Sequence, residues 1–444
     1  MKLNTIASLF SQSCPLTLHT DIIDVCIDSR LLCPGDLFIA VQGDTFDGHD
    51  FIKDAEAKGA SAVVVTHRIN DVQIPQFVVP DTLDALAKIA AAHRKTITCP
   101  VIALTGSNGK TTVKEMIAAI LPAPSHATSG NLNNHIGAPL SALKLKSQHR
   151  YAVFELGANH AGEIAHTVAV VCPDVTLINN IAPAHIEGFG SINSVAQAKG
   201  ELHQGLSPTG TAIINDDDVY AHFWDKLLVD RKTLRFSMLH PADIYAQNIQ
   251  LDMHGLGHFS LVLPNGQTDI TLKVPGEHNI QNALAAAACC YAVGIAIKDI
   301  QNGLSRFGGV NGRMTVLAGK NQSTIIDDTY NANLRSVLTA LEVLAGRPGK
   351  KIFVFGDMGE LGTWAEQHHQ EVGLAARQLG INQLMTCGSL SVLASQAFGV
   401  GSQHFSTQEE LVKKVLEELE PNMTVLVKGS RSSSMEKIVS KLIN

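Results

Sequence analysis

No apolar run in this 444-residue chain reaches the ~18 residues needed to span a bilayer, so a membrane-embedded protein is not expected. Basic charge is not in excess either. Lys plus Arg number 34 against 41 Asp plus Glu, a net charge of -7. That balance argues against a general nucleic-acid or anionic-membrane binder. One basic residue in Met1-Lys2-Leu3-Asn4, with no apolar h-region after it, argues against a secretory signal. The eight cysteines (Cys14, Cys26, Cys33, Cys99, Cys172, Cys289, Cys290 and Cys387) form no Cys-x-x-Cys pair and are scattered along the chain. Neither a disulfide framework nor a zinc pattern results, and a reducing, cytoplasmic location is expected. Vicinal Cys289-Cys290 falls in an Ala-rich helical run and reads as core packing. There is no internal repeat, no low-complexity linker and no Asn-Lys-x-Asp guanine motif.

What is present is an ordinary globular composition, 45% apolar. At about 150 residues per domain the length suggests three domains. Residues 1–80 mix turns with short strands, at Leu37-Phe38-Ile39, Val63-Val64-Val65 and Phe77-Val78-Val79, and a helix near 51–58. Residues 81–313 begin with a helix capped by Asp81, whose Leu83, Leu86, Ala87 and Ala90 share a face. Strands near 101–104, 151–156, 175–181 and 211–214 then alternate with helices near 194–206 and 279–293. That order predicts a mostly parallel sheet covered on both faces. Residues 314–444 repeat the alternation, with strands near 324–326, 351–355, 383–386 and 424–427.

The sharpest motif is Thr105-Gly106-Ser107-Asn108-Gly109-Lys110-Thr111-Thr112, which follows a strand and opens a helix. Glycines let successive backbone N–H groups converge on phosphate oxygens. Lys110 is placed to neutralise the β- and γ-phosphates, and Thr111 has a hydroxyl for Mg²⁺. The longer Walker pattern is incomplete, because Leu104 stands where it has glycine. The loop indicates a nucleoside triphosphate without specifying a reaction.

Mg²⁺ wants hard oxygen ligands. Glu155, in Glu155-Leu156-Gly157-Ala158-Asn159, ends a strand, where ligand sites fall in open α/β sheets. His185 follows another strand, and taken alone it reads as structural or solvated. Lys199 falls on the next helix. As a cation with pKa near ~10.4 it would be a poor metal ligand, and it could bind metal only if chemically altered.

With these residues in hand, the chain resembles the ATP-dependent Mur ligase family over essentially its whole length. The phosphate loop, the segment Asn131-Leu132-Asn133-Asn134-His135-Ile136-Gly137-Ala138-Pro139 and the Glu155 run are similar to family motifs. The resemblance implies a metal set of Thr111, Glu155, His185 and Lys199. It also implies that Lys199 is carbamylated by CO₂, giving oxygen ligands for a second Mg²⁺. Gly276-Glu277-His278-Asn279-Ile280-Gln281-Asn282-Ala283 is similar to the adenine-contact motif, assigning Asn279 and Asn282 to the base. Arg313 matches an arginine between the central and C-terminal domains. In Asp327-Asp328-Thr329-Tyr330-Asn331-Ala332-Asn333 the resemblance gives Asp328 to the ribose or phosphate side of ATP, and Asn331 and Asn333 to an amino-acid substrate. Leu334 stands where the family usually has proline. Asp357, Val427-Lys428-Gly429-Ser430-Arg431 and His369 also fit C-terminal patterns, although a surface-helix histidine is a fair alternative for the last.

Asp28-Ser29-Arg30 and Asp47-Gly48-His49-Asp50-Phe51 resemble a UDP-sugar domain, with Ser29 and Arg30 as uridine-nucleotide contacts. The resemblance therefore implies three α/β domains: a UDP-substrate domain over 1–80, a P-loop-type ATPase domain over 81–313 and a Rossmann-like domain over 314–444. It implies an ATP-dependent ligase that joins D-alanyl-D-alanine to UDP-N-acetylmuramoyl-tripeptide through an acyl phosphate. Lys110, Lys199, His185 and Arg313 would carry the chemistry. The expected ligands are small molecules and two Mg²⁺ ions, with no nucleic acid and no stable membrane insertion, and the expected state is a monomer. The rivals are a sibling ligase adding meso-diaminopimelate or lysine, a folate polyglutamylating ligase, a P-loop NTPase switch and a non-catalytic nucleotide-binding module.

Overall fold

The structure is a computed structural model that describes residues 1–12, 21–43, 46–182 and 189–443. Its strands form three sheets. The first holds β1 (Val25–Cys26), β2 (Leu37–Ile39), β3 (Ala62–Val65) and β4 (Gln76–Val78), all parallel and in chain order. Leu37, Ile39 and Val64 face one apolar cluster with Leu3, Ile6 and Leu86. Phe38, Val63 and Val65 face the other with Ile52 and Ala55. A strand buried on both faces in this way shows an apolar run rather than alternation.

The helix Thr82–Arg94 starts where the sequence indicates, with the Asp81 carboxylate accepting from Leu83 N and Asp84 N at 2.7 and 2.9 Å. Its expected single apolar face is in fact two. Leu86 and Ile89 belong to the N-terminal cluster, and Ala87 and Ala90 to a cluster of the central sheet. The helix is thus shared between two cores.

The central sheet has nine strands: β5 (Val101–Thr105), β6 (Ser125–Ala127), β7 (Tyr151–Glu155), β8 (Val175–Ile178), β9 (Thr211–Asn215), β10 (Lys232–Ser237), β11 (Ile244–Leu251), β12 (Leu256–Leu263) and β13 (Gly266–Pro275). Their order is β13-β12-β11-β10-β9-β8-β5-β7-β6. It is parallel as expected, except that β12 runs antiparallel to β11 and to β13. Those hairpins were not read from the sequence. In β12 only Gly257, Phe259, Leu261 and Leu263 are buried, so it alternates instead of forming a continuous apolar run. Helices Lys110–Ile120 and Glu277–Ala292 cover one face of the sheet. Helices Glu163–Val171 and Ile192–Gln204 cover the other.

The third sheet contains β14 (Thr315–Ala318), β15 (Thr324–Asp328), β16 (Lys351–Gly356), β17 (Gln383–Cys387), β18 (Ser402–Phe405) and β19 (Thr424–Lys428), in the order β14-β15-β19-β16-β17-β18. Only the edge strand β14 is antiparallel. The period of two sorts its side chains. Ile326, Phe353, Phe355 and Leu426 meet helices Leu334–Ala345 and Ala365–Gln378. Ile325, Ile352, Val354 and Val425 meet helices Gln408–Glu418 and Glu436–Leu442. His369 is interior, not exposed: its Nε2 accepts from Met358 N at 3.0 Å and its Nδ1 bonds Ala365 O at 2.6 Å. No helix among the described residues is long and apolar enough to cross a membrane.

Helices Ala365–Gln378 and Ser391–Phe398 approach closely at Gly373, where an added Cβ would overlap the Ala394 carbonyl. Gly373→Ala should therefore destabilise the protein by about 1 to 3 kcal/mol in chemical denaturation, through overpacking. The gain that Gly→Ala gives in an open helix would contradict this close approach.

Candidate active site

The phosphate loop leaves β5 and turns into the helix Lys110–Ile120 through Gly109, whose φ of 78° is left-handed. Space demands glycine there as well. A Cβ would lie 2.5 Å from Asn282 Oδ1 and 2.7 Å from Asn179 Nδ2. The loop is clamped by the carboxyl end of β8. Asn108 N donates to Asn180 Oδ1 at 2.9 Å, and Asn108 O accepts from Asn179 Nδ2 and Asn180 Nδ2 at 3.0 and 3.1 Å. Ser107 Oγ donates to Ala182 O and accepts from Ala182 N, both at 2.9 Å. Asn179 and Asn180 were missed in the sequence. The available signal was a pair of amides ending an otherwise apolar strand.

Lys110 folds back to donate to Gly106 O at 2.7 Å. Burial lowers its pKa, Glu155 opposes that shift, and Arg313 adds to it. Glu155 ends β7 and is buried. Its Oε1 accepts from Asn133 Nδ2 at 2.8 Å, and Oε2 has no partner among the described residues. Lys199 is buried on the helix Ile192–Gln204. Burial drives its pKa well below the usual lysine range, and the Lys110 charge adds to the effect. His185 lies outside the described residues.

On the opposite wall, the first two turns of the helix Glu277–Ala292 carry buried Asn279 and Asn282. Asn279 Nδ2 donates to Pro275 O at 2.8 Å. Asn282 donates to Asn279 Oδ1 and accepts from Asn179 Nδ2, both at 3.1 Å. His278 beside them is pushed down to about 4 by burial.

The C-terminal unit closes on this loop. Arg313 Nη2 donates to Thr111 Oγ1 at 2.8 Å while its guanidinium lies 4.1 Å from the Tyr330 ring centroid. Asn333 Nδ2 donates to Asn108 Oδ1 at 2.8 Å. Asp328 ends β15 directly opposite Lys428 in β19. Lys428 Nζ lies 2.5 Å from Asp328 Oδ2 and 3.0 Å from Asn331 O, and Met314 N donates to Asp328 Oδ1.

These groups surround a cleft with about 380 Å³ of space. Of the residues singled out in the sequence, Ser107, Asn108, Gly109, Lys110 and Thr112 line it from the loop. Glu155, Asn279 and Asn282 line it from the sheet and helix ends. Arg313, Asp328, Asn331 and Asn333 line it from the C-terminal side. Gly106 and Thr111 join through Lys110 and Arg313, and Lys199 through its electrostatic effect from Lys110. Lys428, Tyr330, His278 and Asn133 also line the cleft. Ser29 and Arg30 do not. Ser29 O accepts from Lys58 Nζ at 2.6 Å. Exposed Arg30 pairs with Asp28 at 2.7 Å and holds that carboxyl at about 2.

Comparison with known proteins gives three family matches. The "Mur ligase family, catalytic domain" model matches residues 21–94, the "Mur ligase middle domain" 104–290, and the "Mur ligase, glutamate ligase domain" 312–431. The chain is 45% identical to the UDP-N-acetylmuramoyl-tripeptide--D-alanyl-D-alanine ligase of Escherichia coli, over 94% of this chain and 93% of that one. It is 32% identical to the ligase of that name from Bacillus subtilis, covering 96% and 94%. A crystal structure of MurF from Acinetobacter baumannii superposes with a TM-score of 0.92 at 35% identity, covering 99% and 98%. A MurF ligase from Thermotoga maritima in complex with ADP gives 0.83 at 27%, covering 95% and 97%.

The Asp328–Lys428 pair is almost closed to solvent. Asp328→Asn would leave the ammonium uncompensated, so a loss of about 3 to 5 kcal/mol in urea unfolding is expected. A change under about 1 kcal/mol would mean that the pair is solvated.

Proposed function

The chain belongs to the Mur ligase family, and from its cleft we infer the following reaction. It is an ATP-dependent ligase that joins D-alanyl-D-alanine to UDP-N-acetylmuramoyl-tripeptide, yielding the pentapeptide, ADP and phosphate. One observation carries the reading: the phosphate loop and the Asp328–Asn333 segment of a second unit line one cleft. A nucleotide switch or a simple binding module has no need of that convergence.

The tripeptide carboxylate attacks the γ-phosphorus of ATP, forming an acyl phosphate and releasing ADP. The free amine of the dipeptide then attacks the acyl carbon, and phosphate departs as the amide forms and the amine loses its proton. Lys110 is the loop's cation and would exchange its bond to Gly106 O for phosphate oxygens. Arg313 reaches the same loop from the C-terminal side. Asn279 and Asn282 offer amide edges for the purine, and Asp328 a carboxylate oxygen for the ribose. Asn331 is proposed as a dipeptide contact, and Ser29 and Arg30 as contacts for the uridine nucleotide.

The donor set fits Mg²⁺. Glu155 Oε2 is a buried carboxylate oxygen without a partner among the described residues, and the Thr111 hydroxyl is a second hard donor. His185 completes the family's set. Bound Mg²⁺ would screen the triphosphate charge. Lys199 suits carbamylation because burial and Lys110 favour its neutral amine, the form that adds to CO₂ with loss of a proton. The carbamate oxygens would be ligands for a second ion.

We divide the chain at 1–80, 81–313 and 314–444, for the UDP-sugar peptide, ATP and the dipeptide respectively. The helix Thr82–Arg94 goes to the central unit. A cytoplasmic monomer is the proposed state.

Phosphate release should require ATP, UDP-N-acetylmuramoyl-tripeptide and D-Ala-D-Ala together. Release without the dipeptide or without the sugar peptide would favour an NTPase. Lys199→Ala should reduce ligation to near background, with partial rescue by an added short carboxylic acid. Unchanged turnover in that variant would remove Lys199 from the mechanism.

A further inference from the structure

We propose that Asn333 is a positioning residue for the nucleotide, acting through one amide–amide hydrogen bond that sets which end of Asn108 the phosphate loop presents to the cleft. The inference rests on the nucleotide reading above. It gives Asn333 a different task from the dipeptide contact that the family resemblance implies.

The argument starts at a helix end. Asn333 is the N-cap of the helix Leu334–Ala345, and its side chain accepts from Ser336 N at 3.0 Å. Ser336 Oγ accepts in return from Asn333 N at 3.0 Å, completing a capping box. A backbone N–H is an unambiguous donor, so the group facing it must be the amide oxygen of Asn333. The Asn333 nitrogen therefore points the other way, where it donates to Asn108 Oδ1 at 2.8 Å. That bond determines the Asn108 amide in turn. Its oxygen faces the C-terminal unit, and its Nδ2 is turned away from it.

Asn108 Nδ2 is buried without a partner among the described residues, and Asn108 lines the cleft. The remaining polar atoms of the residue are engaged. Its N donates to Asn180, its O accepts from Asn179 and Asn180, and its Oδ1 accepts from Asn333. A buried amide donor left unpaired is unfavourable, and a phosphate oxygen is the acceptor that this kind of loop brings beside it. The cap of a C-terminal helix is thereby relayed through two amides to a phosphate donor. The donor set of the loop is complete only while the C-terminal unit is docked.

Asn333→Asp separates the relay from the cap. The substitution keeps the oxygen that accepts from Ser336 N, so the helix and thermal stability should be retained. It places a second oxygen against Asn108 Oδ1. The Asn108 amide should then turn over and direct its carbonyl oxygen at the phosphates. Affinity for a non-hydrolysable ATP analogue with Mg²⁺, measured by calorimetry, should fall roughly tenfold or more, while KM for D-Ala-D-Ala moves little. Asn333→Ser, which keeps a capping oxygen and lacks the nitrogen, should lose less. Asn108→Ala should weaken the analogue, and in that background Asn333→Asp should add nothing further. The inference is overturned if Asn333→Asp binds the analogue like the unmodified protein, if only the dipeptide KM moves, or if the loss persists undiminished in the Asn108→Ala background. That last result would be plain charge repulsion. An unmodified protein that binds no analogue would instead overturn the nucleotide reading itself.

Discussion

A loop that receives a triphosphate has to be held still by something other than its own cations, because those charges are needed for the ligand. Here neutral amides hold it. Asn179 and Asn180, at the carboxyl end of β8, bond the main chain of Asn108 from two directions. Asn179 also bonds Asn282, and Asn282 bonds Asn279, so the clamp on the phosphate loop is continuous with the proposed purine wall. Gly109 permits this closeness, since any Cβ would collide with both Asn179 and Asn282. The rest of the cleft is arranged around that fixed point. Helix Lys110–Ile120 departs from it, Glu155 lies on the neighbouring strand, and the C-terminal unit docks on it through Asn333 and Arg313.

The electrostatics follow from the same economy of charge. A net charge of -7 says nothing of the cleft, where Lys110, Arg313 and Lys428 converge and buried Lys199 feels the charge of Lys110. They are not equivalent. Lys428 is neutralised by Asp328 and acts on the Asp328–Asn331 segment, tying the ends of a short loop together. Lys199 has its pKa lowered by burial and by the charge of Lys110, which favours the neutral amine over the ammonium. Lys110 is shifted the same way, but Glu155 partly offsets the burial, and its partner at Gly106 is a neutral carbonyl, a weaker acceptor for an ammonium than a phosphate oxygen. In the proposed reaction these differences divide the labour: one lysine positions, one is modified and one neutralises.

The C-terminal unit docks on the central one through side-chain hydrogen bonds, among them Arg335 to Ile181 O and Arg347 to His254 O. Arg313 to Thr111 and Asn333 to Asn108 bring side chains more than two hundred residues apart into direct hydrogen bonds. At the other end of the chain the helix Thr82–Arg94 belongs to two cores at once, joining the N-terminal sheet to the central one by packing, with the exposed Lys144–Asp24 ion pair beside it. Contacts of these two kinds respond differently to motion. A shared apolar helix resists separation, whereas individual hydrogen bonds at a cleft can open and reform with substrate.

The local signals were legible in the chain itself. Gly106, Gly109, Lys110 and Thr111 declare a phosphate loop because their spacing is a local property, set by one turn between a strand and a helix. Buried parallel strands such as β5 and β19 show as apolar runs, and Asp81 marks a helix start through its own side-chain chemistry. The antiparallel hairpins β11 to β13 were not read, because strands covered on one face lack that run. Glu155 stood out by its place at a strand end, whereas resemblance to a family supplied the expected roles of Asn279, Asn282, Arg313 and Asp328, none of which composition or spacing could assign. The tertiary structure alone decided that Lys199 is buried near Lys110, that Lys428 is spent on Asp328 and that Asn333 faces Asn108. It also left Ser29 and Arg30 away from the cleft. The reason is physical: a pKa, an ion pair or an amide's orientation depends on what the fold brings within a few ångströms. For these residues the neighbours that matter are far away in the chain.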